Sequence, residues 1–305
     1  MAIVDRADLP PGAWDRFCAE SNGAWFWHTE AWLDYCLAYR PGTVDRSFAL
    51  VAAGDDGPTV TTIMPLLVRE DSDGSRCLAG DDPLPGALST MGTRTTWEAI
   101  MEEFSERRGP SPGLARFRGS PLAEHGGEVT AGWRSQVLDL RGPIEALHSG
   151  LRRSYRSLVN AGLREFNIAE DPGDGSLCEA FRAVHVAASG GIAPRSDETY
   201  AYNRAWVRDG SALLLGARAG DRWMGFVLVI RYKTGAYYAS GPALAPNVMH
   251  ALQWEAIRRL KALGVQRYEI GWQGVATDEK GRQIEFFKRG FGGQSVPFAV
   301  SEITW

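Results

Sequence analysis

Apolar and polar positions alternate through two stretches of the chain that read alike. Residues 47–68, "SFALVAAGDDGPTVTTIMPLLV", and residues 211–232, "SALLLGARAGDRWMGFVLVIRY", each hold an apolar strand, a Gly-Asp turn and a second apolar strand. Alternation on both sides of a tight turn predicts an antiparallel hairpin. A third strand follows each hairpin, "SRCLAG" in the first copy and "GAYYASGP" in the second. Around the second hairpin the period changes to that of a helix. "REFNIAED" reads as a strand, and Ser176 and Glu179 stand at capping-box spacing ahead of a helix over "LCEAFRAVHVAA". "DETYAYNRAWVRD" predicts a second helix. Asn247 stands at the N-cap of "VMHALQWEAIRRLKAL", and Gly264 just past its end. "VQRYEIGW" is a strand, "RQIEFFKRG" a short helix and "SVPFAVSEI" a last strand. The order is β-α-α-β-β-β-α-β-α-β.

The first copy follows the same order less completely. Thr29 opens a helix over "EAWLDYCLAY", and Thr95 with Glu98 forms a capping box before "WEAIMEEFSERR". Strands "LARFRG" and "WRSQVLDLR" follow, with "SPLAEHGGEVTAG" between them where a short helix would complete the repeat. The division falls around "GPIEALHSG", giving domains 1–145 and 146–305. A chain of 305 residues exceeds one ordinary core, which agrees with two domains.

Composition narrows the class. With 44% hydrophobic and 23% charged residues, the balance is that of a soluble globular protein. No apolar run nears the ~20 residues that span a bilayer, and "MAIVDRADLPPGAW" lacks the apolar core of a signal peptide. The four cysteines, Cys18, Cys36, Cys77 and Cys178, are scattered without a CxxC pair, as in reduced cytoplasmic proteins. The five histidines show no metal-ligand spacing, so neither a metal nor a bound cofactor is expected. Net charge is −4, so any contact with a polyanion must be local. Trp25, Trp27 and Trp32 in "WFWHTEAW" read as core aromatics of the first domain.

The element order resembles the GNAT acyltransferase fold. Two copies in one chain resemble the FemABX family of aminoacyl-tRNA-dependent peptidyltransferases, which are twin GNAT-like domains. "YYASGPA", "KALGVQRYEIGW" and "FFKRGFGG" are similar to the C-terminal half of that family. The resemblance implies an α/β (α+β) fold of two tandem GNAT-like domains, each a mixed, mostly antiparallel sheet flanked by helices. It implies transfer of an aminoacyl group from the 3′ end of a tRNA to an amine acceptor, a peptide, amino sugar or wall precursor. No metal takes part in that chemistry.

Within the resemblance, "FK-x-x-FG" carries a functional lysine, which here is Lys288. Attack of an amine on an ester makes a tetrahedral oxyanion, and a fixed ammonium beside it lowers the barrier. The competing reading of Lys288 is a stem buried on apolar surface with its head in water. Glu269 and Asp278 are candidate bases by proximity in sequence. "LHSGLRRSYRSLVNAGLRE" carries Arg152, Arg153, Arg156 and Arg164 with no acid between Glu145 and Glu165, a pattern suited to phosphate oxygens. By resemblance, Arg195 and Tyr200 in "GGIAPRSDETY" lie where the family keeps substrate-contacting residues, and Tyr238 is a strand residue placed to face the cleft. Wall-building members carry a basic residue shortly after the tryptophan that Trp32 matches. Asp34 stands there instead, which argues against a diphosphate precursor and for a smaller amine.

Two other functions fit the same text. One is an acyl-CoA-dependent N-acyltransferase of polysaccharide or natural-product assembly. The segment "GPALAPNVMHAL" opposes it: the glycine-rich pyrophosphate loop of an acetyl-CoA enzyme belongs there, yet Pro242 and Pro246 each lack a backbone donor. The other is a non-catalytic binding protein on a duplicated GNAT scaffold, which retention of Lys288 opposes.

Overall fold

The computed structural model describes residues 1–54, 57–70, 76–78, 84–109, 111–118, 128–130, 132–274 and 276–305. Three sequence expectations fall partly outside these: the tip of the first Gly-Asp turn, the ends of "SRCLAG" and most of "SPLAEHGGEVTAG". The chain divides into two compact units, Met1–Ala131 with Phe298–Trp305, and Gly132–Pro297.

The first unit begins with β1 (Ala2–Asp5), α1 (Ala13–Glu20), α2 (Glu30–Tyr39) and β2 (Thr43–Asp45). The first hairpin is β3 (Phe48–Ala52) and β4 (Thr59–Met64), followed by β5 (Leu67–Glu70) and β6 (Arg76–Leu78). Then come β7 (Leu84–Pro85), β8 (Leu88–Ser89), α3 (Arg94–Arg107), β9 (Gly113–Arg118) and β10 (Glu128–Thr130). β1, β3, β4 and β8 form one sheet in that order. Its core gathers Trp14, Leu33, Phe48, Ile63, Ile100, Phe104 and Phe117, all nearly inaccessible. Thr29 caps α2 as expected, its hydroxyl accepting the N–H of Trp32. α3 starts two residues earlier than expected: its cap is Thr93, which accepts from Thr96 N, rather than Thr95.

The second unit opens with β11 (Arg134–Asp139), α4 (Ile144–Gly150), α5 (Arg153–Glu165), β12 (Asn167–Glu170), α6 (Cys178–Ala188) and α7 (Asp197–Arg208). The three-strand meander is β13 (Ala212–Ala219), β14 (Arg222–Tyr232) and β15 (Gly235–Ser240). Next come α8 (Val248–Ala262), β16 (Arg267–Gln273), α9 (Glu279–Arg289) and β17 (Gln294–Pro297). The sheet runs β12-β13-β14-β15-β16-β11-β17, with β15 and β16 parallel and the other pairs antiparallel. α5 and α8 bury Val159, Leu252 and Ile257 with Leu215, Val227, Val229 and Tyr268 of the sheet. α6 packs on β14 and α7 on β13.

Two local readings are corrected here. Ser176 and Glu179 make no capping box. The carboxylate of buried Asp171 instead accepts the N–H groups of Gly173, Gly175 and Leu177, fixing the turn into α6. Asn247 holds the cap position of α8 in a left-handed conformation, but its side chain accepts no cap bond. Gly264 closes α8 as read: its own N–H bonds Lys261 O, and Val265 N bonds Leu260 O.

The domain boundary also differs from 145/146. "WRSQVLDLR", read as the last strand of the first copy, is β11 and pairs with β16 and β17 of the second unit. "SVPFAVSEI", read as one strand, is two. Its first half is β17; its second half is β18 (Val300–Thr304), which lies between β9 and β10 in the first unit's second sheet. Pro297, which lacks an N–H, ends β17 where the chain changes sheets.

Candidate active site

The site in the second unit begins where two parallel strands part. β15 and β16 pair at Gly235–Arg267, Ala236–Tyr268 and Tyr237–Glu269, and their register ends there. Beyond that point β15 bulges toward β14, Val229 pairing with Tyr238 and Leu228 with Ser240. β16 bulges against β11 between Gln136 and Val137. The side chains on one side of this parting, Ala236, Tyr268 and Ile270, enter the core under α8. Tyr268 donates its hydroxyl proton to Gln253 Oε1 at 2.7 Å. Glu269 points the other way. It is 3% exposed and accepts a 2.6 Å bond from Ser135 Oγ.

Gly271 is the residue at the bulge, with φ +111. A Cβ placed there would lie 2.9 Å from Lys288 Nζ and 3.7 Å from the Tyr237 hydroxyl. The ammonium and the phenol thus both approach a bare Cα. Only glycine tolerates both this φ and this approach.

α9 delivers the lysine. Asp278 accepts the N–H of Gly281 at 2.7 Å and caps the helix, so its carboxylate has a structural task. The "GFGG" that follows α9 is read by close packing. A Cβ at Gly290 would collide with the Tyr155 ring, and one at Gly292 would sit 2.7 Å from Gly150 O. Phe291 is buried, and Gln136 Nε2 donates to Gly292 O. Phe287 and Phe291 pack with Tyr155 and His250. The motif thereby fixes the end of α9 and the height of Lys288 over the sheet.

Each residue expected from sequence has a definite place. Lys288 is brought together with Gly271 and Tyr237. Tyr238 is one position off the site: burial pushes its hydroxyl up to about 12, tempered by a bond with Gln253, and its ring packs on the core. Its neighbour Tyr237 was missed, because only the strand register shows which tyrosine faces Lys288. Arg152, half-buried, is held against α9. Its N–H bonds Gly290 O at 2.9 Å, its guanidinium stacks 3.7 Å above Phe286, and Nη2 donates to Phe286 O. Arg153 is exposed and Arg156 half-buried on α5. Neither forms an ion pair among the described residues.

Arg195 and Tyr200 belong to a separate cluster on α6 and α7. The Tyr200 hydroxyl bonds His185 Nδ1 at 3.1 Å, and Arg195 Nη1 donates to Asn203 Oδ1 at 3.4 Å. Burial, aided by Arg195, lowers His185 to about 4. In the first unit Asp34 is not an isolated acid: with Asp45 it holds Arg6, each pair at 2.7 Å. Trp32, Tyr35 and Tyr39 stack in a ladder, centroids 5.2 and 5.7 Å apart, with Trp27 edge-on to Trp32 at 4.4 Å.

The segment ahead of α8 is bonded to its own surroundings. Leu244 N donates to Met224 O, Val248 N to Pro246 O, and Phe226 N to Pro242 O. No group of three or more His, Cys, Asp or Glu side chains suited to a metal occurs among the described residues. No described helix is long and apolar enough to cross a membrane.

Residues 147–288 match the family model for an acetyltransferase (GNAT) domain. No curated protein sequence matches the chain. Solved structures do. FemX superposes with a TM-score of 0.66 at 12% identity, covering 100% of this chain and 97% of its own. L-PGS from Bacillus licheniformis gives 0.59 at 12% identity, covering 96% and 91%. A tandem GNAT protein from the clavulanic acid biosynthesis pathway gives 0.53 at 16% identity, covering 99% and 98%. The expected tandem GNAT fold is borne out: the chain shares its fold with FemX and with the tandem GNAT protein over its whole length, and residues 147–288 carry the GNAT domain match.

Proposed function

We propose that the protein is an aminoacyltransferase that moves an aminoacyl group from aminoacyl-tRNA to an amine acceptor, forming an amide. One observation carries this reading: the Lys288 ammonium and the Tyr237 hydroxyl both come close to Gly271, where β15 and β16 part. The acceptor nitrogen attacks the ester carbonyl carbon and a C–N bond forms. The carbonyl oxygen becomes an oxyanion, which the ammonium and the phenol are suited to meet. Collapse breaks the ester C–O bond, and the proton lost by nitrogen ends on the departing ribose oxygen. Lys288 is the group that stabilises charge, and Tyr237 the second donor. Of the two candidate bases Glu269, buried and bonded to Ser135, is preferred, since Asp278 caps α9.

The likeness to FemX favours the tRNA donor; the GNAT family match favours an acyl-CoA donor. The segment before α8 weighs against the second, because two of its N–H groups are already bonded to carbonyls and Pro242 and Pro246 offer none. The test is to incubate the protein with pooled charged tRNA and, separately, with acetyl-CoA, across a panel of peptides and amino sugars. Amine-dependent loss of the aminoacyl ester, absent in Lys288→Ala, is the expected result. Turnover with acetyl-CoA and none with charged tRNA refutes the donor assignment.

A further inference from the structure

The exposed side of α9 has a composition that folding does not require. Phe287 turns inward to Tyr155 and His250, at centroid distances of 6.2 and 5.3 Å. Its neighbour Phe286 turns outward and is 54% exposed. Single exposed apolar residues are ordinary. Phe286 differs because a cation is fixed to it. The Arg152 guanidinium lies 3.7 Å from the ring centroid, and Nη2 is tied to the Phe286 carbonyl at 3.2 Å. Ring and guanidinium form one rigid, flat, positively charged pair. Arg153 and Arg289 are exposed nearby in sequence, and neither has an ion-pair partner among the described residues. Arg282, by contrast, is held by Glu279.

An aromatic face set among unneutralised arginines is what a single-stranded nucleic acid needs. The ring takes a base by stacking, and the arginines take the phosphates on either side. Phe286 precedes Lys288 by two residues, or ~200° of helix rotation, so ring and ammonium lie on different sides of α9. A strand whose terminal ester reaches Lys288 must therefore cross the helix before it reaches the ring.

We infer that Phe286, clamped by Arg152, is a stacking platform for an unpaired base in the 3′ end of the donor RNA. This deepens the proposed function and rests on it. It also changes the role of Arg152, from a phosphate ligand to the residue that holds the platform.

The test uses the full chain and two uncharged RNA hairpins, one with a four-nucleotide single-stranded 3′ end and one blunt. Wild type should bind the first more tightly. Phe286→Ala should weaken that binding about 5- to 100-fold, the range of one lost stacking contact, while leaving the blunt hairpin unchanged. Phe286→Trp should retain the preference. Because Phe286 is exposed, the variants should melt like wild type, which the same samples check. Equal binding of both hairpins, or Phe286→Ala binding the overhang as wild type does, overturns the platform. If charged tRNA is still consumed in that case, the proposed function stands without it. If neither hairpin binds and only acetyl-CoA is turned over, both fall.

Discussion

Replacing Gly271 with alanine tests the candidate site more sharply than removing the lysine. The new Cβ would appear 2.9 Å from Lys288 Nζ, at a backbone φ of +111. Holding alanine at that φ costs on the order of 1–3 kcal/mol. For a unit of this size that lowers Tm by roughly 2–12 °C. An ordinary contact between such atoms is about 3.5–4 Å, so the ammonium must retreat by about 0.6–1 Å. A misplacement of ~1 Å at a reacting centre costs about 10²-fold in rate. Lys288→Ala should cost about 10²–10³-fold, the loss of one oxyanion donor. The two effects should not add. In a Lys288→Ala background, Gly271→Ala should lower Tm and leave the residual rate alone, because the group it displaces is gone. The assay is single-turnover aminoacyl transfer on the two single variants and the double, with thermal melts alongside. A Gly271→Ala enzyme that melts early yet turns over at the wild-type rate would refute the reasoning, as would a full extra rate loss in the double variant.

Three further outcomes follow from the second unit. Arg153→Ala and Arg156→Ala should each weaken RNA binding regardless of sequence and reduce the slope of log K against log salt by about 0.7, checked by titrations at several salt concentrations. His185 is lowered from 6.5 to about 4 by burial and by Arg195, so the folded state binds fewer protons than the unfolded one. Its contribution to stability is intact above pH 6.5 and is lost as pH falls toward about 4. Urea unfolding at pH 7 and pH 5 should therefore differ less in His185→Gln than in wild type. Asp171→Ala strands three backbone N–H groups at the turn into α6 and should cost about 1–3 kcal/mol in the same urea measurement.

The sequence made the second unit's elements plain where local chemistry sets them. The hairpin "SALLLGARAGDRWMGFVLVIRY" is β13 and β14, and "FFKRGFGG" ends α9 with Lys288 over the sheet. What it hid depends on partners distant in the chain. Nothing within "WRSQVLDLR" says that its neighbours are β16 and β17. Nothing within "SVPFAVSEI" says that its halves enter different sheets, although Pro297 marks the place. Ser176 and Glu179 have the right spacing for a box, but Asp171 holds the turn through other N–H groups and the Ser176 N–H bonds Asp174. Tyr238, expected at the cleft, packs on the core while Tyr237 reaches Gly271, because in a strand one residue reverses the face. Phe286 was invisible for a related reason. Two adjacent phenylalanines read as one apolar patch until the helix phase turns one of them out.

The placement of β18 bears on biosynthesis. Its five residues sit between β9 and β10, whose own residues were made nearly two hundred positions earlier. During translation, the amino-terminal sheet must wait with that slot unfilled while everything from Gly132 to Pro297 emerges and folds. A ribosome stalled anywhere short of Val300 therefore leaves two open strand edges, and with them a substrate for chaperones or aggregation.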